Sequence, residues 1–256
     1  MKRLIVSFLF IINLGFSQTN YSLSFDGADD YVDCGNDTSL YVTEDFTIEL
    51  WFKQTEWSSD PSNYNYLFSK RDGASTDAGI VLGTSSDTQD LWFWITRSEE
   101  NDWGYVSGNF TANHTIQLNQ WYHVVVVFSG SEIESYETNE NITIYLNGLV
   151  QNIEIASNFT GSIPDHSNAP LTIGNRSDLN RPFPGFIDEV RLWDKVCSET
   201  EIRENIFSSL VGDEDSLIGY WNFNEGSGTT AVDGSQNIND GSIQGATYSI
   251  DGHPNT

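Results

Sequence analysis

Residues 186–205 read FIDEVRLWDKVCSETEIREN, and this stretch decides the fold class. Val190 and Leu192 alternate with Glu189, Arg191 and Trp193, the two-residue period of a strand with one apolar face. Asp188 stands at the head of that strand, where a buried carboxylate needs a cation or hydrogen-bond donors. Ser198 then opens Ser-Glu-Thr-Glu, the pattern of a capping box in which Ser198 and Glu201 exchange hydrogen bonds at a helix start. A strand therefore hands over to one short helix through a corner that contains Cys197.

On either side the strand signals continue at short spacing. Residues 21–36, YSLSFDGADDYVDCGN, predict a strand, an acidic turn at Asp26-Gly27, and a second short strand. Residues 46–53, FTIELWFK, place Phe46, Ile48, Leu50 and Phe52 on one face and Trp51 on the other. Residues 66–69, 79–83 and 91–96 predict three more strands; in the last, Leu91, Phe93 and Ile95 share a face opposite Trp92 and Trp94. The run WYHVVVVF at 121–128 is that of a strand covered on both sides. ITIYLNG at 142–148 ends in an Asn-Gly turn, a strong hairpin signal. LTIGN at 171–175 is the next strand. Closely spaced strands with a single helix predict an all-β protein built as a two-sheet antiparallel β-sandwich, rather than alternating βαβ units.

The phrases FDG followed by DDYV, the Trp-x-His run followed by YLNG, and the IDEV strand with its capped helix resemble the LamG-like group of secreted bacterial modules. These are laminin-G-like, concanavalin A-like lectin/glucanase jelly rolls. The resemblance implies a jelly roll and, in relatives of this fold, a structural calcium between the opening turn and the acidic residue of the IDEV strand. Carried over residue by residue, that implies calcium ligands at Asp26, Gly27 and Asp188. A tight Asp-Gly turn offers the hard carboxylate and carbonyl oxygens that calcium takes. The alternative for Asp188 is a carboxylate that caps backbone amides.

The chain has 256 residues, with 11 Lys and Arg against 37 Asp and Glu and a formal charge of −26. Such a surface repels nucleic acid and anionic lipid. The 15 Phe, 11 Tyr and 8 Trp supply enough apolar bulk for a core. Residues 1–17, with Lys2 and Arg3, an apolar run and a Gly-Phe-Ser end, read as a signal peptide, so the chain is expected to be secreted. The apolar run is too short for a membrane span and no second one follows. Residues 18–256 are expected to form a single domain. Two cysteines in an exported chain, at positions the family motifs bring near each other, predict a Cys34–Cys197 disulfide; two buried free thiols are the alternative.

The tail, LIGYWNFNEGSGTTAVDGSQNINDGSIQGATY at 217–248, carries phrases that relatives place ahead of the FDG strand. This predicts a circularly permuted order in which residues 217–256 complete the same sandwich. The alternative is a truncated second repeat.

Exposed aromatic rings in a row stack on the apolar face of a sugar. Trp51, Trp92 and Trp94, on the non-core side of their strands, with Trp103 soon after, are the candidate ligand-binding residues. The expected function is a calcium-stabilised, non-catalytic carbohydrate-binding module for a polysaccharide or glycoprotein glycan. The alternatives are an adhesion or matrix module that binds protein, and a glycoside hydrolase. For hydrolysis the nearest pattern is Glu132-Ile133-Glu134-Ser135-Tyr136-Glu137, which lacks the central Asp of the glucanase signature and lies in a polar stretch between strands.

Overall fold

The computed structural model describes residues 19–58, 64–71, 79–96, 103–108, 116–130, 132–133, 141–155, 161–163 and 165–254. The expected leader lies outside them. The first strands are β1 (Ser22–Asp26), β2 (Tyr31–Asp33), β3 (Phe46–Gln54), β4 (Tyr64–Arg71), β5 (Gly79–Ser85) and β6 (Leu91–Thr96). Next come β7 (Trp103–Gly108), β8 (Trp121–Phe128), β9 (Glu132–Ile133), β10 (Ile142–Leu146), β11 (Leu149–Val150), β12 (Glu154–Ile155), β13 (Gly161–Ser162) and β14 (Leu171–Ile173). The chain continues through β15 (Pro184–Trp193), α1 (Glu199–Asn205), β16 (Leu217–Trp221), β17 (Thr230–Ala231), β18 (Gly241–Gln244) and β19 (Thr247–Ser249).

Two antiparallel sheets form the expected sandwich. The first runs β11-β10-β8-β3-β15-β1-β19, with β16 also on β15; the second runs β12-β7-β6-β5-β4-β14-β2-β18-β17. Alternation sorts each strand between two environments. Phe46, Ile48, Leu50 and Phe52 of β3, Val124 and Val126 of β8, and Val190 and Leu192 of β15 enter the core between the sheets. From the second sheet, Phe68, Ile80, Leu82, Phe93, Ile95 and Ile173 meet them. The opposite faces of β8 and β15 are also covered: Val125, Val127 and Trp193 pack with Tyr145, Cys197, Ile202, Leu217 and Tyr220 beneath α1. That explains the continuous apolar run of β8.

β15 is an interior strand of the first sheet. It pairs with β3 along one edge, while along the other it pairs first with β1 through Ile187 and then with β16 from Val190. The exchange of partners falls at a bulge between Asp188 and Arg191, where Glu189 takes φ 51°. A bulge of this kind re-aims side chains, and here Asp188, Glu189 and Arg191 all become buried polar groups.

The helix start is the one the sequence predicts: Glu201 N–H donates to Ser198 Oγ at 3.2 Å and Ser198 N–H donates to Glu201 Oε2 at 2.7 Å. The tail contributes to both sheets, β16 beside β15, β18 beside β2 and β19 beside β1. Tyr220, Trp221 and Phe223 are all buried.

Candidate functional site

A cleft of about 330 Å³ opens at the end of the sandwich, lined by Gly27, Glu56, Trp57, Ser58, Asn65, Pro182 and Pro184. Its walls come from the opening turn, the chain leaving β3, the start of β4 and the segment entering β15. Gly27 has φ 78°, and a Cβ there would stand 2.8 Å from Pro184 Cβ. A side chain would therefore strain the turn and fill the wall. The floor is a fixed amide network. Asn65 Nδ2 donates to the Pro182 carbonyl at 2.7 Å, and Asn65 Oδ1 accepts from Gln54 Nε2 and Ser86 Oγ, each at 3.2 Å. Gln54 in turn accepts from Thr84 Oγ1 at 2.8 Å and donates to the Glu56 carbonyl at 2.8 Å. Trp57 packs its inner side on the core and stays half-buried, and Glu56 is exposed. A half-buried indole, an exposed carboxylate and a rigid polar floor suit a small polyhydroxylated ligand.

Beside the cleft the opening turn gathers Asp26, Asp29 and Asp30, whose carboxylate oxygens lie within 4.8 Å of one another. Ala28 N–H donates to Asp26 Oδ1 and Asp26 N–H donates to Asp30 Oδ2, both at 2.8 Å. Burial raises the Asp30 carboxyl, and the charges of Asp26 and Asp29 push in the same direction. A divalent cation would relieve that crowding, so the donor set has the chemistry for calcium.

Asp188 does not join this turn. Asp26 pairs with Pro184 on β15, four residues before Asp188, a separation of about 13 Å at the rise of a strand. Asp188 instead lies 2.9 Å from His253 Nδ1 and accepts from His253 N–H at 3.1 Å and Glu189 N–H at 2.9 Å. Burial pushes its carboxyl up to about 6, with the His253 contacts opposing. The structure thus separates Asp188 from Asp26 and Gly27 and brings Asp29 and Asp30 beside Asp26.

The four expected tryptophans do not form one platform. Trp51 faces away from the core as its parity requires, but it is only 4% exposed. Its Nε1 donates to the Ile206 carbonyl at 3.1 Å, and its ring sits among His123, Phe207 and His253. Trp92 and Trp94 lie on the far face of the other sheet, buried with Tyr66 and Val81. Arg71 stacks over Trp94 at 4.3 Å. Trp103 lies in β7, its backbone paired with Thr96; its side chain is outside the described residues. Strand parity told which side each ring takes. It could not tell what covers that side.

The expected disulfide is also absent, and both thiols are free and buried. Cys34 belongs to the core between the sheets, whereas Cys197 packs on the outer face of the first sheet under α1. A sheet layer stands between them, and a disulfide bridges Cα atoms no more than about 7 Å apart. Burial pushes the Cys197 thiol up to about 11, so neither sulfur is an activated nucleophile. Of the hydrolase-like pattern, Glu132 and Ile133 form β9, and residues 134–140 lie outside the described residues.

Around Trp51 lies a buried ionic cluster that sequence reasoning missed. Arg191 donates to Glu49 Oε1 at 2.9 Å, to Glu189 Oε2 at 2.6 Å, and to the carbonyls of Asn205 and Ser208. His123 Nε2 lies 2.9 Å from Glu49, and Tyr220 Oη donates to Glu189 at 2.9 Å. Burial alone would raise the Glu49 carboxyl, but Arg191 and His123 outweigh it and hold it at about 2. With α1 and the segment after it as a roof, this cluster is closed to a ligand. Its role is to hold the roof.

The profile of the concanavalin A-like lectin/glucanases superfamily matches residues 26–203. No curated protein matches the chain in sequence. Among solved structures, a candidate carbohydrate binding protein from Bacteroides ovatus shares 17% identity over 93% of this chain and 62% of its own, with a TM-score of 0.66. This chain therefore spans less than two thirds of that protein. The CBM40 of Ruminococcus gnavus IT-sialidase, bound to alpha2,3 sialyllactose, shares 12% identity over 72% of this chain and 95% of its own, at a TM-score of 0.49. Domains LG4-5 of the mouse laminin alpha1 chain share 15% identity over 68% and 41%, at 0.45.

Proposed function

Because this chain belongs to the concanavalin A-like lectin/glucanases superfamily, we propose that it is a non-catalytic carbohydrate-binding module and that the end cleft is its binding site. The observation that carries the reading is the half-buried Trp57 standing beside a fixed polar floor in a cleft of about 330 Å³. An indole face stacks on the C–H face of a pyranose, and Glu56 offers an acceptor to its hydroxyls. The reading includes secretion, with residues 1–17 as the cleaved leader, and a polysaccharide or glycoprotein glycan as ligand. It also includes a permuted chain order, supported by the pairing of β19 with β1. A glycan array probed with the full chain tests it, followed by Trp57→Ala on the best ligand. A loss of affinity of about tenfold is expected, the upper worth of a stacked ring. Silence across the array, or a variant that binds as well as the parent, overturns it; silence together with capture of a protein ligand would favour the adhesion alternative.

Calcium is part of the same proposal, held by Asp26, Asp29 and Asp30. An ion bound only by the folded chain raises stability by mass action, about 2.7 kcal/mol at a hundredfold excess over Kd. Calcium is expected to raise the melting temperature, and Asp29→Ala to remove most of the gain. Identical melting curves in chelator and in excess calcium would dispose of it.

A further inference from the structure

We propose a second saccharide position on the outer face of the first sheet, a shelf made by Trp121, Lys53, Phe186 and Asp251 that takes a neutral pyranose of the glycan held in the cleft. It rests on the carbohydrate reading above and extends it to ligand length and charge class.

Three strands set the shelf. Lys53 of β3 pairs in register with Trp121 of β8 and with Phe186 of β15, so the three side chains stand in one row across the sheet. The rings lie 6.4 Å apart at 51°, and the Lys53 ammonium sits 5.2 Å from the Trp121 centroid and 4.3 Å from that of Phe186. Further along the same face Trp51, His123 and Asp188 are buried, whereas Trp121 and Phe186 stay half-buried. Among the described residues, neither ring belongs to an apolar cluster. The Trp121 Nε1 is itself buried and, among the described residues, has no hydrogen-bond partner.

The polar groups favour an uncharged sugar. Lys53 Nζ is paired with the carboxylate of Asp251, whose side chain is half exposed. The half-exposed Asp251 carboxylate offers an acceptor to a hydroxyl, and the largely buried Lys53 ammonium balances its charge, leaving no net charge at the shelf. The chain as a whole carries −26, which disfavours uronic or sulfated sugars. Pro184 of the cleft wall and Phe186 of the shelf lie on the same side of β15, two residues or about 7 Å apart. One oligosaccharide can therefore rest on both.

The test uses the full chain labelled with 5-fluorotryptophan, the Trp57 and Trp121 fluorine resonances being assigned with Trp57→Phe and Trp121→Phe. Cello-, laminari-, manno- and xylohexaose and the corresponding disaccharides are the probes. The hexaose that binds is expected to shift both resonances, and its disaccharide Trp57 alone. Trp121→Ala should weaken the hexaose about tenfold and leave the disaccharide within about twofold. A hexaose that shifts Trp57 while Trp121 stays still overturns the shelf and spares the cleft. So does an unchanged hexaose affinity in Trp121→Ala. If no probe moves either resonance, both proposals fail. The fluorine shifts of the parent chain decide the matter even where Trp121→Ala folds poorly.

Discussion

On β3 the inner face buries Phe46, Ile48, Leu50 and Phe52, and the outer face buries Thr47, Glu49 and Trp51 almost as completely. Ile48 is 0% exposed and Glu49 only 3%. The two faces nevertheless hold by different physics. Inner residues gain from removal of apolar surface and from dispersion, which tolerate small changes of shape. Outer residues are stable only as a mutually satisfied set, because a charge left alone out of water is costly. Burial alone does not say what a substitution will do; the partners do.

The largest expected effect tests that contrast directly. Arg191→Ala should cost about 3–5 kcal/mol, because it strands Glu49 and Glu189 in a dry layer. Chemical denaturation of both proteins would measure it, and a loss below about 1 kcal/mol would show the two faces to be alike.

The next effect depends on pH. The folded-state carboxyl of Asp188 sits at about 6 against an ordinary 3.8, raised by burial. A raised carboxyl holds its proton more tightly in the folded chain, so its contribution is fully present below about pH 4. It is lost as pH rises through 6, about 3 kcal/mol at two units. Relative to Asp188→Asn, which has no proton to lose, the parent should lose stability between pH 4 and 7. Melting curves across that window check the sign, and parallel profiles would remove Asp188 as its source. Glu49, held at about 2, works the other way: its contribution is present above its ordinary 4.5 and falls away only as pH drops toward 2.

Smallest and sharpest is a pair of near-isosteric changes at adjacent residues. Glu49→Gln keeps the shape but weakens charge-assisted bonds to Arg191 and His123, and should cost about 2 kcal/mol. Ile48→Val removes one methylene from the inner face and should cost about 1 kcal/mol. If the order reversed, shape rather than charge pairing would govern both faces.

What was legible in the sequence is what depends on near neighbours. The alternation of Val190 and Leu192 is a two-residue relation, and the Ser198–Glu201 box spans a single helical turn. Both appear in the structure because strand pleat and helix pitch are set within a few residues. Enough such strands, together with aromatic bulk, require a sandwich. Strand parity puts Trp51, Trp92 and Trp94 on the side away from the inter-sheet core for the same reason.

Everything the sequence left undecided joins residues far apart in the chain. Trp51 is covered by Ile206 and His253; Asp188 is satisfied by His253, 65 positions away. The two cysteines are kept apart by a whole sheet. The cleft takes its walls from around residues 27, 57, 65 and 183, and the proposed shelf takes its rings from β8 and β15. Periodicity reports which way a side chain points. Only the closed tertiary structure decides what meets it there, because that depends on how separate segments cross in space and which polar groups they bring.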